Sequence, residues 1–260
     1  MSAQPTVLLT GAAHGIGRAT AVALAQQGTP LGLIDYDAEA LADLAQTLRG
    51  QGATVASASV DVTDRSALIR AVVEITDTIG PIDVLVACAG IGTLTLVPDL
   101  DTLMLRRTLE VNVVGVAHSI EAVLPAMIKR GSGHIVGVAS VAGYRGFPWM
   151  MSYSASKAAL IVYLEAMRPG LCRRGVTVTT VCPGFVRTRM STEVPYQRPV
   201  KMVEPEEAAR HLVRAIKRRP RNCIFPWDMR ISLAILKYMP DPLFDWLMRL
   251  VGPRAMKVEF

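Results

Sequence analysis

The chain has little with which to hold a metal ion or a disulfide framework. Its 260 residues include four cysteines, Cys88, Cys172, Cys182 and Cys223, with no Cys-x-x-Cys pair and no His/Cys ligand spacing. No metal site is expected, and a reducing, cytoplasmic setting fits. His14, His118, His134 and His211 stand singly, and none is assigned a catalytic role. The first residues, Met1-Ser2-Ala3-Gln4-Pro5, lack the basic-then-apolar order of a signal peptide. No uninterrupted apolar run approaches about 18 residues, so no membrane span is predicted. Charged residues make up only 19% and hydrophobic ones 51%, which argues against disorder. No repeat, low-complexity stretch or linker divides the chain. One domain over 1–260 is therefore expected, with a core over about 5–225 and an extension over 226–260.

The net charge is +6 and uneven. Arg210, Arg214, Lys217, Arg218, Arg219, Arg221 and Arg230 crowd one stretch. No aromatic interleaving or binding motif accompanies them. A solvated helix face is the reading, and no nucleic-acid partner is expected.

What the chain does have is alternation. Short apolar runs (6–10, 30–35, 53–60, 84–88, 134–140, 176–182) alternate with amphipathic stretches (15–27, 38–49, 64–78, about 103–130, and one containing Tyr153). That order predicts βαβ units and a parallel sheet covered on both faces, an α/β fold of the Rossmann-type doubly wound kind. Pro169-Gly170 interrupts a helical pattern and predicts a kink or stop near Arg168.

Between the first strand and first helix lies Thr10-Gly11-Ala12-Ala13-His14-Gly15-Ile16-Gly17. Glycines there permit a tight turn and close backbone approach to a pyrophosphate. The following helix N-terminus offers unpaired N–H groups and a favourable dipole. Asp35 ends the second strand, where an acidic residue accepts hydrogen bonds from ribose hydroxyls and repels a 2′-phosphate. Its neighbours His14 and Tyr36 supply no firm cation at pH 7. NAD is therefore expected over NADP. The alternative for Asp35 is an N-cap of the next helix.

Tyr153-Ser154-Ala155-Ser156-Lys157 puts a phenol and an ammonium four residues apart, on one helical face. A nearby cation favours the phenolate, so the pair has the makings of an acid/base group.

Taken in order, these motifs resemble the short-chain dehydrogenase/reductase family over about residues 5–225. Thr10 to Gly17 is similar to the family's cofactor loop. Asp61-Val62 matches its acidic pair after the third strand, Ala89-Gly90 the end of its Asn-Asn-Ala-Gly segment, and Asn112 its helix asparagine. Ser140 stands where the catalytic serine does, and Tyr153 and Lys157 complete the tetrad. Pro183-Gly184, with Val186 and Thr188, matches the loop that borders the nicotinamide. One departure is plain. Ala87 and Cys88 replace the two asparagines, which puts a local hydrogen-bond network in doubt.

The resemblance implies hydride transfer between a nicotinamide and a secondary alcohol or ketone. Tyr153 would move the proton and Lys157 would lower its pKa and hold the ribose. Ser140 would hold the substrate oxygen, and Asn112 a water linking Lys157 to solvent. It also implies a homodimer or homotetramer that pairs the helices carrying Asn112 and Tyr153; Val113, Val114, Gly115, Ala158, Ala159 and Val162 offer small apolar faces. The bulky segment Val141 to Met151, together with Ile91 to Val97, Phe185, Met190 and the region after Thr188, suggests a hydrophobic substrate. The apolar tail, about Cys223 to Val251, is split by Pro240 and Pro242 into two expected helices. It reads as a lid, an oligomer interface or an amphipathic element on a membrane surface. A non-catalytic NAD-binding module and a membrane-surface protein are the competing functions.

Overall fold

A computed structural model describes residues 4–92, 94, 100–192 and 202–251. Parts of two expected substrate-lining segments, 93 and 95–97 and the stretch 193–201, lie outside the described residues, as does the end of the tail.

The apolar runs form strands β1 (Val7–Thr10), β2 (Leu31–Asp35), β3 (Val55–Ser59), β4 (Val84–Ala87), β5 (Gly133–Val138), β6 (Val176–Pro183) and β7 (Asn222–Phe225). All pair in parallel, in the order β3-β2-β1-β4-β5-β6-β7. Between them run α1 (Gly15–Ala25), α2 (Ala38–Gly50), α3 (Arg65–Ile79), α4 (Thr102–Leu109), α5 (Gly115–Arg130), α6 (Met151–Cys172), α7 (Arg189–Thr192) and α8 (Pro205–Arg218); α9 (Trp227–Tyr238) and α10 (Asp241–Val251) follow β7.

Alternate residues of each strand feed two cores. Leu9, Leu33, Val86 and Val136 pack with α1, α2 and α8 on one face. Leu8, Ile34, Leu85 and Ile135 pack with α3, α5 and α6 on the other. The order in which successive strands are added reverses between β1 and β4. In such sheets the ligand crevice opens beyond the strand ends at that switch.

Three local outcomes differ from the sequence pattern. The helix through Pro169 does not stop at Arg168 but runs to Cys172. Pro169 sits in the last turn on an exposed face, so the carbonyl it leaves unpaired, that of exposed Glu165, can be met by solvent. The stretch around Asn112 is not one α-helix: residues Glu110–Val114 form a π turn between α4 and α5. Thr102–Arg130 as a whole is long and apolar enough to cross a bilayer by composition. Its Val116, Ile120, Val123 and Met127 are buried in the second core, as in the central helix of a globular domain. The basic residues Arg210, Arg214, Lys217 and Arg218 do form an exposed face, on α8.

Candidate active site

The loop after β1 is shaped by what its glycines exclude. At Gly11, in the left-handed region with φ +67°, a Cβ would lie 2.7 Å from the Ala89 backbone; at Gly17 it would overlap the Gly11 carbonyl oxygen. The loops after β1 and β4 therefore touch backbone to backbone. Thr10 reinforces the contact, its Oγ1 accepting from the Ala89 N–H at 3.4 Å. His14 is the N-cap of α1 but makes no side-chain cap, and no acidic residue occupies the first turn. No side chain of the described residues caps the leading N–H groups of α1. Such a helix end, behind a glycine turn, fits a dinucleotide pyrophosphate. Ile16 packs partly buried against the core beneath it.

Asp35 is buried, and both its oxygens are engaged. Oδ2 accepts from the Ala13 N–H at 2.9 Å and Oδ1 from the Asp37 N–H at 3.1 Å. It ties the phosphate loop to the turn after β2. The N-cap of α2 is Asp37, which accepts from the Ala40 N–H. Asp37 also takes a 2.8 Å contact from His14 Nε2, and Tyr36 stands exposed between the two carboxylates. Bonds from Ala40 and His14 hold the Asp37 carboxyl below its ordinary range. Asp37 was not singled out by sequence; its place three residues before Ala40 at a helix start was the signal.

Asp61 lies after β3. Partial burial opposes its ionisation, yet Arg107 at 2.9 Å and Thr63 hold its carboxyl below the usual value. Val62 is buried, and its side chain fills the space a Cβ on Gly115 would need. Gly115 therefore serves core packing.

The loop after β4 meets the helices at Gly90. A Cβ there would lie 3.0 Å from Asn112 Oδ1 and 3.3 Å from Lys157 Nζ. Asn112 is fully buried in the π turn. Its Oδ1 accepts from the Ile91 N–H at 2.8 Å, and Nδ2 donates to the Ile91 carbonyl and to Ser156 Oγ, each at 2.9 Å. Both amide hydrogens are spent on the loop and on α6. With Thr10, which holds Ala89, Asn112 supplies ties to the loop that follows Ala87 and Cys88. Burial pushes the Cys88 thiol up to about 11, which keeps it protonated and inert.

Ser140 follows β5 and caps a short 3-10 turn, its Oγ accepting from the Ala142 N–H at 3.1 Å. Tyr153 and Lys157 sit in the first turns of α6. Lys157 is buried, donates to the Val138 carbonyl at 3.0 Å, and has Nζ 5.6 Å from the centre of the Tyr153 ring. Burial pushes Lys157 down to about 8. Its direct contact is thus the end of β5, two residues before Ser140. Beyond Tyr153, Met190 reaches Gly92: a Cβ there would lie 2.7 Å from Met190 Sδ and 3.5 Å from the Tyr153 ring. Val186 is buried and bridges to Val203. Thr188 faces the phosphate loop, its methyl 2.9 Å from where a Cβ on Gly15 would stand. Pro183 closes β6, and the Gly184 N–H donates to the Phe225 carbonyl at 2.7 Å. The fold thus gathers the residues drawn from the resemblance along the sheet's carboxyl edge. No metal-type cluster of His, Cys, Asp and Glu occurs among the described residues.

A family model described as short chain dehydrogenase matches residues 5–199. A rat (Rattus norvegicus) 17-beta-hydroxysteroid dehydrogenase 13 is 35% identical over 249 residues, covering 94% of this chain and 82% of that protein. A Burkholderia phymatum short chain dehydrogenase/reductase solved with NAD superposes with TM-score 0.81 at 26% identity, covering 90% of this chain and 92% of that one. An alcohol dehydrogenase from the archaeon Thermococcus sibiricus, solved with 5-hydroxy-NADP, gives 0.75 at 25% identity, covering 86% and 96%. The two structures hold different dinucleotides, so the likeness supports a nicotinamide cofactor without choosing between them. The chain belongs to the short-chain dehydrogenase family.

Proposed function

We propose that the protein is an NAD-dependent oxidoreductase acting on a secondary alcohol or ketone with a hydrophobic body. The observation that carries this reading is the meeting of three elements at one point: Gly90 after β4, Asn112 in its π turn, and Lys157 beside Tyr153 on α6. A bound nicotinamide would supply the hydride chemistry. It would lie with its pyrophosphate at the α1 N-terminus, its adenosine end between Asp35, Asp37 and Asp61, and its other end along Gly90, Pro183, Gly184, Val186 and Thr188. Carboxylates at the β2 end disfavour an added 2′-phosphate, which is why NAD is preferred here.

The chain's own groups then divide the work. The Ser140 hydroxyl, its oxygen already held by Ala142, keeps its hydrogen to donate to the substrate oxygen. Tyr153 takes the alcohol proton in oxidation and returns it in reduction. A charged Lys157 favours the phenolate by simple attraction. Asn112 acts on both through the loop it pins and through Ser156, which donates to the Tyr153 carbonyl at 2.7 Å.

The direct test is absorbance at 340 nm with NADH and NADPH across secondary alcohols, steroids, 3-oxoacyl esters and terpenoid ketones. Tyr153→Phe should lower turnover by about a hundredfold to ten-thousandfold, the range of a lost proton-transfer group, with NADH affinity unchanged. Normal turnover in that variant would end the assignment.

A homo-oligomer fits the α6 surface, where Ala155, Ala159, Val162 and Ala166 form an exposed stripe. Light scattering with Val162→Asp would test it by the change in mass. Membrane-surface contact, in an otherwise cytoplasmic enzyme, is favoured by the exposed tail aromatics Trp227, Tyr238 and Trp246. Liposome flotation with and without residues 227–260 separates the two settings.

A further inference from the structure

Arg145 lies in the loop between Ser140 and Tyr153, yet its guanidinium is spent on the C-terminal helices. Its Cζ sits 4.1 Å from the centre of the Phe244 ring. One terminal nitrogen donates to the Met239 carbonyl at 3.3 Å and the other to Asp241 Oδ1 at 3.2 Å. The Arg145 side chain is only 18% exposed, while Asp241 is 88% exposed. Phe244 and Met248 are buried.

The same helices reach the site's other loops. Lys237 Nζ lies 5.6 Å from the Tyr144 ring. Met229 covers Gly184, where a Cβ would lie 3.0 Å from its Cγ. So α9 and α10 contact the loop after β5 and the loop after β6, the two that flank the reacting end.

We propose that Arg145 is a positioning residue that locks the C-terminal helix pair onto the Ser140–Tyr153 loop, and that the pair so held forms the outer wall that selects substrate by size. The size-selection half rests on the oxidoreductase reading above. The lock itself does not. Only a planar guanidinium can lay its face on Phe244 and still aim edge hydrogens at Met239 and Asp241. Because Asp241 is solvated, its ion pair contributes little. Phe244 and the Met239 carbonyl carry the contact. Neither segment can then loosen without freeing the other.

Hydrogen exchange on the full-length protein, with and without NADH, tests the lock. Phe244→Ala should speed exchange severalfold in 144–151, a segment about a hundred positions away in sequence. Arg145→Met should speed it in both 144–151 and 227–251, Arg145→Lys should lie between, and the β1–α1 loop should not change in any variant. Unchanged exchange in 144–151 with Phe244→Ala would overturn the proposal.

With 2-decanone as the probe ketone, Arg145→Met should raise KM about tenfold, the scale of one partly desolvated cation–π contact, and leave kcat and NADH affinity near wild type. Lost kcat at constant KM would count against a positioning role. Should the wild type not reduce 2-decanone while exchange stays coupled, the lock stands and the hydrophobic-substrate reading fails.

Discussion

The two ends of the proposed site are built by different means. The dinucleotide end is made of backbone meeting backbone. Gly11 lies against Ala89, Gly17 against Gly11, and Asp35 accepts main-chain N–H groups from two loops. The substrate end is made of long side chains meeting across the sequence: Arg145 on Phe244, Lys237 by Tyr144, Met190 by Gly92. Backbone contacts have no rotamers with which to yield. Side-chain contacts on partly exposed surfaces do, and each contributes modestly. One fold can thus keep a fixed cofactor seat while its substrate wall varies.

A pair of identical substitutions probes that contrast at its widest. Gly17→Ala puts a methyl into the Gly11 carbonyl, whereas Gly146→Ala, in the substrate loop, meets no atom within 4 Å. The first should weaken NADH binding by more than about a hundredfold, an overpacking cost of roughly 3 kcal/mol, read by fluorescence titration. The second should change affinity little and stability by less than about 1 kcal/mol, with stabilisation the expected sign. Equal effects would dissolve the distinction.

Lys157 stands at the seam, and there function works against stability. Burial lowers its pKa from 10.5 to about 8. Below pH 8 the lysine is charged in both states, and the folded state bears the full cost of burying it. Between pH 8 and 10.5 the unfolded chain holds more protons, so stability rises with pH until the cost is gone. The shift corresponds to about 3 kcal/mol, and the lost bond to Val138 gives back about 1. Lys157→Met should therefore be more stable than the cofactor-free wild type at pH 7 by about 2 kcal/mol in urea unfolding, with the gap narrowing above pH 8. Turnover should disappear. A destabilised variant at pH 7 would show the ammonium is satisfied by more than the Val138 carbonyl.

The same division explains what could be read from the sequence. Strand alternation and glycine spacing are local signals, so the sheet, the phosphate loop and the shared face of Tyr153 and Lys157 were all legible. Asn112 and Ser140 were legible only through their order relative to that pair. Pro169 misled because a proline's cost depends on exposure and on its distance from the helix end, which the sequence does not state. The π turn at Glu110–Val114 has no periodic signature, since it shifts the register by a single residue. Arg145 and Phe244 stand about a hundred positions apart, and nothing near either residue announces the other.

The smallest expected effect tests whether the tail is held by one lock or by many weak contacts. Lys237 lies 5.6 Å from both the Tyr144 and Tyr238 rings, and Tyr238 is largely exposed. Exposed cation–π contacts contribute roughly 0.5–1 kcal/mol, so Lys237→Ala should lower stability by no more than that and shift the melting temperature by a degree or two. Exchange in 227–251 should rise far less than in Arg145→Met. If the two variants loosened the tail equally, its attachment would be distributed over many weak contacts, and the substrate end would have no single anchoring side chain to set against Gly17.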